Sequence, residues 1–293
     1  MTANPVLLDG KATARVVREE LARRVAELRA RGVRPCLRIL QVGGDPASSI
    51  YVASKTRASV RLGIDARVQH LPESAGFTAI DAVVRSWNDD SSVHGFIVQL
   101  PLPTGIDTPA VLRLVNSDKD VDGLSPASLG KLATGRPGFM PATPSGIIEL
   151  LLRNGITIPG RRVVIVGRGE LVGRPLASML LLRGERGDAT VTVCHSHTKD
   201  LGAVCRTAEI LVAAAGHAGL VTGGMVGEGA VVVDAGTNSV EGRLVGDVDF
   251  QSVAPRASAI TPVPGGVGPM TVAMLLANTV RAAELASGLA GHD

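Results

Sequence analysis

Three glycines, Gly167, Gly169 and Gly173, follow the apolar run Val163–Val166 within Arg-Val-Val-Ile-Val-Gly-Arg-Gly-Glu-Leu-Val-Gly-Arg-Pro, residues 162–175. A strand that turns sharply into a helix needs residues without a Cβ. The helix start leaves backbone N–H groups free to receive a phosphate. The spacing G-x-G-x-x-x-G is one residue wider than the usual dinucleotide fingerprint, so a tight turn without nucleotide also fits this stretch alone. The residues after the turn favour a nucleotide. Thr190–Cys194 reads as a second strand after a helical segment around Leu171–Arg183, completing a β-α-β unit. Its end offers Cys194, His195, Ser196, His197 and Thr198, with no carboxylate to hold the ribose hydroxyls of NAD. Arg168 and Ser196 could instead receive a ribose 2′-phosphate, which makes NADP the expected coenzyme. Arg168 could equally be solvated or paired with Glu170, whose own carboxylate would repel a pyrophosphate unless it points outward or meets an arginine.

A second group of residues suits a flat, polar substrate. Tyr51 and Lys55 stand four residues apart and share one helix face. A phenol and an amine together can stack on a ring and polarise it, although a surface lysine beside a half-buried tyrosine explains the spacing as well. Tyr51 is the only tyrosine in the chain. Gln99 lies near the end of the apolar run Val93–Leu100, where ligands of parallel sheets collect, and its amide both donates and accepts. Taken alone it would be a structural glutamine. Asp122, in the acidic stretch Asp118–Leu124, could bind an amino-pyrimidine edge or simply cap its turn. The remaining ligands of a calcium loop do not follow it, and no metal is expected. His217, in Ala215–Gly219, and Thr237, beside Gly236, lie beyond further strands where a coenzyme could pass.

The elements that must position these groups alternate along the chain. Helices are expected over about Lys11–Arg31, Asp45–Leu62, Phe77–Trp87 and Ser145–Asn154, with strands at Cys36–Val42, Ile64–His70 and Val93–Leu100. Later strands are expected at Glu209–Ala214 and Ala230–Asp234, and a last helix over Val272–Ser287. Thr261–Thr271 carries so many prolines and glycines that a shaped loop is expected, either a hinge or a ligand contact. The 293 residues suffice for two α/β domains. A net charge of +3, from 30 basic and 27 acidic side chains, is too small and dispersed to suggest nucleic acid or a membrane as partner. Three cysteines without metal-ligand spacing, and no leader-like or spanning segment, lead to the expectation of a cytoplasmic protein.

Six stretches resemble, in order, those of the bifunctional methylenetetrahydrofolate dehydrogenase/methenyltetrahydrofolate cyclohydrolase family. They are Tyr51-Val-Ala-Ser-Lys55, Gln99-Leu-Pro-Leu-Pro103, Lys119-Asp-Val-Asp-Gly123, Thr143-Pro-Ser-Gly146, Val172-Gly-Arg-Pro175 and Thr261-Pro-Val-Pro-Gly-Gly-Val-Gly-Pro-Met-Thr271. The resemblance implies an N-terminal folate-side α/β domain over residues 1–140 plus 271–293, and a Rossmann-type NADP-binding domain over 145–270. It implies oxidation of 5,10-methylenetetrahydrofolate with NADP and hydrolysis of the methenyl product to 10-formyltetrahydrofolate. Lys55, Tyr51 and Gln99 would be catalytic, and with Asp122, Pro264, Gly265 and Gly268 would bind tetrahydrofolate derivatives. Gly167, Arg168, Gly169, Gly173, His195, Ser196 and Thr237 would hold the coenzyme, and a homodimer through the coenzyme domain is expected. Where the family often has serine followed by asparagine or lysine, this chain has Gly169-Glu170, which bears on coenzyme affinity. The alternatives are a monofunctional methylenetetrahydrofolate dehydrogenase and, from another class, a non-catalytic nucleotide-binding scaffold.

Overall fold

The computed structural model describes residues 4–289. In chain order the elements begin with β1 (Val6–Leu7), α1 (Gly10–Ala30), β2 (Cys36–Val42), α2 (Pro46–Leu62) and β3 (Asp65–Leu71). Then come α3 (Phe77–Asp89), β4 (Gly95–Val98), α4 (Thr108–Leu114), α5 (Pro126–Ala133) and α6 (Ala142–Arg153). β5 (Arg162–Val166), α7 (Gly173–Leu180), β6 (Thr190–Cys194), α8 (Leu201–Arg206), β7 (Ile210–Ala213) and β8 (Val231–Asp234) follow. The chain ends with β9 (Asn238–Val240), β10 (Arg243–Val245), α9 (Phe250–Val253), β11 (Ala259–Ile260) and α10 (Val267–Ala286). These form two compact units, one of residues up to Arg15 with Thr143–Thr271, the other of Val16–Ala142 with the segment from Val272.

The second of these units is built on a parallel three-stranded sheet in the order β3-β2-β4. β2 is central and almost wholly buried, as its run Cys-Leu-Arg-Ile-Leu-Gln-Val requires of a strand covered on both faces. Trp87 of α3 meets Phe96 of β4 edge to face at 5.5 Å, and Ile80, Val83 and Val84 complete the same apolar stripe. Val17, Leu21, Val25 and Leu28 of α1 are buried at the expected helical spacing.

The other unit contains a six-stranded parallel sheet in the order β1-β11-β8-β7-β5-β6. β5, β7 and β8 are Val- and Ile-rich and buried along nearly their whole length. The chain winds outward in one direction from β5 to β6 and in the other from β5 to β7. That reversal opens a crevice beyond the carboxyl ends of β5 and β7, the site where doubly wound sheets bind ligands. The antiparallel hairpin β9–β10 stands apart from this sheet.

Three boundaries differ from the sequence reading. The expected first domain took in residues 1–140, yet the described segment from Asn4 to Arg15 belongs to the unit of Thr143–Thr271, because Val6 and Leu7 pair with Ala259 and Ile260. Two residues carry no readable periodicity, so this edge strand was invisible. The last helix begins at Val267 rather than Val272: Pro269 falls in its first turn, where a missing N–H leaves no helical bond unmade. Conversely α7 begins at Gly173, two residues later than Leu171, since the glycine turn occupies the intervening positions.

Candidate active site

In the unit built on β2, Asp45 starts α2 by accepting a 2.7 Å bond from Ser48 N with Pro46 next in line, and Gly63 (φ 87°) ends it. This fixes the face carrying Tyr51 and Lys55. Lys55 Nζ donates to Gln99 Oε1 at 3.1 Å. Gln99 is aligned from both sides: its backbone N–H extends the ladder to Leu40 O at 2.8 Å, and its Nε2 donates to Leu100 O at 2.6 Å. The amide oxygen is therefore the atom left for the lysine. Tyr51, one turn earlier, is 40% exposed and makes no hydrogen bond among the described residues.

Asp122 sits in a loop that the neighbouring Asp120 organises by accepting from Gly123 N at 3.0 Å and Ser125 N at 2.7 Å. Asn278 ties the same loop down by donating to Val121 O and Met140 O, each at 2.9 Å. Asp120 thus takes the turn-making role that Asp122 could have had. Burial pushes the Asp122 carboxyl above the usual carboxylate range, the Lys55 charge pulls it back, and Asp120 adds to the rise. Lys55, Gln99 and Asp122 are brought into one electrostatic neighbourhood. On the neighbouring strand β2, the buried Gln41 donates to Ser49 Oγ at 2.8 Å, bracing the start of α2, while its Oε1 has no partner among the described residues.

In the other unit, β5 delivers the chain to Gly167 (φ 121°), where an added Cβ would fall on the carbonyl of Ala214. A Cβ on Gly173 would in turn fall on the Gly167 carbonyl, whereas nothing among the described residues lies within 4 Å of the one Gly169 lacks. The first and third glycines close the turn; the middle one leaves open space for a ligand. Arg168 is exposed two residues past Val166, and Ser196 is exposed two residues past Cys194, its in-register partner on β6. His195 shapes that second turn, its N–H bonded to Thr198 Oγ1 at 2.9 Å and its Nδ1 accepting from His197 N at 3.2 Å. Glu170 points to solvent and pairs with Arg174 at 3.3 Å, one helical turn on. That pair sets an arginine charge beside the carboxylate.

Thr237 is exposed after Gly236, and Pro264 and Gly268 are exposed in this same unit. Gly265 (φ 118°) is buried and accepts from Lys11 N at 3.1 Å. Two residues that sequence reasoning passed over are buried here. Asp234 accepts from the N–H groups of Gly236, Asp247 and Val248, each at 2.9 Å. Asp247, 0% exposed, accepts from Ala215, Gly216, His217 and Asn238. A strand ending in aspartate beside Gly-Thr-Asn, followed by Gly-Asp-Val-Asp, was the available signal. The glycines at 236 and 246 are needed because a Cβ at either would strike one of these carboxylates.

Models of known families match both units. Residues 8–122 match the tetrahydrofolate dehydrogenase/cyclohydrolase catalytic domain, and residues 141–287 match the NAD(P)-binding domain of the same family. The bifunctional protein FolD 1 of Rubrobacter xylanophilus is 51% identical over 280 residues, covering 95% of this chain and 97% of that protein. The crystal structure of the bifunctional enzyme FolD from Campylobacter jejuni superposes with a TM-score of 0.92 at 46% identity, covering 96% and 99% of the two chains. The Trypanosoma brucei dehydrogenase-cyclohydrolase, solved with NADP and an inhibitor, gives 0.91 at 40% identity over 97% and 99%. With matches across both units and at this identity, the chain belongs to the tetrahydrofolate dehydrogenase/cyclohydrolase family.

Proposed function

We propose that this protein oxidises 5,10-methylenetetrahydrofolate with NADP and then hydrolyses the methenyl product to 10-formyltetrahydrofolate. The observation that carries this reading is the 3.1 Å bond from Lys55 Nζ to Gln99 Oε1 beside the half-buried Asp122. Asp122, when ionised, accepts the paired N–H donors of the pterin edge, and the exposed ring of Tyr51 stacks on the pterin. Gln99 holds the lysine amine at the one-carbon unit.

The glycine turn fits a dinucleotide, because its first and third glycines pack against backbone while the space at Gly169 stays open. Gly167, Gly169 and Gly173 admit the pyrophosphate, Arg168 and Ser196 take the 2′-phosphate, and His195 and Thr237 flank the coenzyme. NADP held there would supply the acceptor for a hydride from the methylene carbon of the substrate. The protein's task in this step is alignment. In the second step water adds to the methenyl carbon and loses a proton. The hydroxyl of the adduct then gives up its proton as the C=O forms while N5 takes one as the carbon–N5 bond breaks, for a net release of one proton. Lys55 Nζ manages these transfers.

The chain is also proposed to act as a cytoplasmic homodimer joined through the coenzyme unit, consistent with the exposed apolar Val240 and Leu244 on the β9–β10 hairpin. The deciding experiment mixes purified protein with methylenetetrahydrofolate and either coenzyme, following reduced nicotinamide, methenyl product and formyl product separately. Reduction of NADP with formyl product forming faster than spontaneous hydrolysis supports the reading. Reduction without accelerated hydrolysis would leave a dehydrogenase alone, and neither would overturn it.

A further inference from the structure

β2 carries one residue that its surroundings do not call for. Its run Cys-Leu-Arg-Ile-Leu-Gln-Val is covered on both faces, which at position 41 calls for an apolar side chain. Gln41 stands there instead, 2% exposed, and its Oε1 has no partner among the described residues. A buried acceptor left unpaired lowers stability. The neighbouring hydroxyl settles which way the amide faces. Ser49 Oγ gives its one proton to Asp45 O at 3.0 Å, so toward Gln41 it can only accept, and Gln41 Nε2 donates to it at 2.8 Å. Turning the amide over would set Oε1 against an oxygen with no proton to offer.

The strand register shows what this bond works with. Leu40 lies opposite Val98, and the ladder continues with Gln99 N donating to Leu40 O at 2.8 Å, so Gln41 and Gln99 come next on adjacent strands. In-register residues of neighbouring strands point to the same face. Both amides therefore rise from one face of the sheet, and both reach α2. Gln41 holds Ser49, at the end of the first turn, and Gln99 holds Lys55. Those two residues lie roughly 9 Å apart along the helix axis, and the two strands about 4.8 Å apart. A single bond leaves the helix free to pivot about it. Two bonds, separated along the helix and across the sheet, fix both its rotation and its height.

We propose that Gln41 is a positioning residue for the hydrolysis step: its bond to Ser49 fixes α2 against the sheet, and with it the place of Lys55 Nζ. It acts through Ser49 and the helix and does not touch the substrate. An apolar side chain of the same length would fill the space and leave no polar atom stranded. The unpaired Oε1 is thus a loss of stability that accompanies the placement of the lysine. A residue serving the fold alone shows itself in the melting temperature, whereas this one shows itself in the rate. The inference rests on the dehydrogenase/cyclohydrolase reading above and names a residue on which the proton transfers of Lys55 depend.

The test compares the wild-type protein with Gln41→Met, Ser49→Ala and Ser49→Thr. It measures the melting temperature, NADP reduction, and kcat and KM for methenyltetrahydrofolate hydrolysis with spontaneous hydrolysis subtracted. Gln41→Met should melt no lower than wild type while kcat for hydrolysis falls about tenfold to a hundredfold, the loss expected from a displacement of up to about 1 Å. KM and NADP reduction should change much less, because ring stacking and hydride transfer do not use the lysine amine. Ser49→Ala removes the acceptor and should lose kcat likewise, whereas Ser49→Thr keeps the hydroxyl and should restore it. Wild-type hydrolysis by Gln41→Met overturns the proposal. So does a lower melting temperature with both activities falling together, the mark of a residue that serves the fold alone. Should Gln41→Met not fold, the Ser49 pair decides: equal hydrolysis by the alanine and threonine variants overturns the proposal, and a slow alanine variant beside a normal threonine variant supports it. Absence of accelerated hydrolysis in the wild-type protein would sink the cyclohydrolase reading instead.

Discussion

Replacing Lys55 by methionine keeps most of the apolar stem and removes the Nζ that lies 3.1 Å from Gln99 Oε1. The two losses differ in size. As a structural bond, a charged donor to an amide is worth about 1.5–3 kcal/mol. Both partners are half-buried, so water can replace the amine and the lower end applies. As a proton-transfer group the amine is worth about 10²–10⁴ in rate, or about 2.7–5.5 kcal/mol of barrier. Methenyltetrahydrofolate hydrolysis should therefore fall at least about a hundredfold, beyond what lost stability alone explains. Hydride transfer needs no side-chain base, so NADP reduction should fall by no more than about tenfold, from poorer alignment of the substrate. Both rates are measured on one folded preparation with spontaneous hydrolysis subtracted, and circular dichroism checks the fold. Normal enzymatic hydrolysis would reject Lys55 as the proton-transfer amine. Equal loss of both activities would reduce it to a substrate-positioning residue.

Arg168→Ala should raise KM for NADP about tenfold or more, from loss of a charge-assisted bond, and leave KM for NAD nearly unchanged; equal effects refute the 2′-phosphate role. Glu170→Gln should alter coenzyme affinity by less than about twofold, because the carboxylate forms an exposed pair with Arg174; tighter NADP binding would mean that its charge reaches the coenzyme. The raised Asp122 carboxyl costs the fold stability as pH climbs from the unfolded pKa through the folded one. Asp122→Asn should accordingly melt no lower than wild type at neutral pH while binding folate more weakly in calorimetry, and in the wild-type protein folate affinity should drop on acidification through that raised pKa. Gly173→Ala drives a Cβ into the Gly167 carbonyl and should lower both thermal stability and NADP affinity; unchanged binding would show that the turn adjusts freely.

Local spacing made one half of each site readable. Tyr51 and Lys55 share a face because α2 is capped by Asp45 and stopped by Gly63, both visible as residue types. The Lys55–Gln99 bond was not readable from spacing, since it depends on which strands become neighbours; only the resemblance joined those positions. The glycine turn announced itself, but the division of labour within it did not: a clash with Ala214 or an open space at Gly169 is a tertiary fact. Pro269 misled for a simple reason. Proline disrupts a helix interior but suits a first turn, and the sequence reading assigned it to a loop. Asp234 and Asp247 were passed over because burial of a carboxylate leaves no periodic mark; it shows only once the amides that surround it are assembled.

The pairing of Val6 with Ala259 has a consequence for how the protein is made. A ribosome adding roughly 5–20 residues per second needs on the order of ten to fifty seconds to pass from one to the other. Through that interval β5, β6, β7 and β8 are already available to assemble, while the outer side of β8 still lacks β11. A nascent chain stalled before Ala259 therefore carries an unpaired edge of Val231-Val-Val-Asp234, apolar and buried in the finished molecule. Such an edge is a template for pairing with another chain. The segment Val6–Leu7, waiting since the first moments of synthesis, can seal the sheet only after β11 has been laid beside β8.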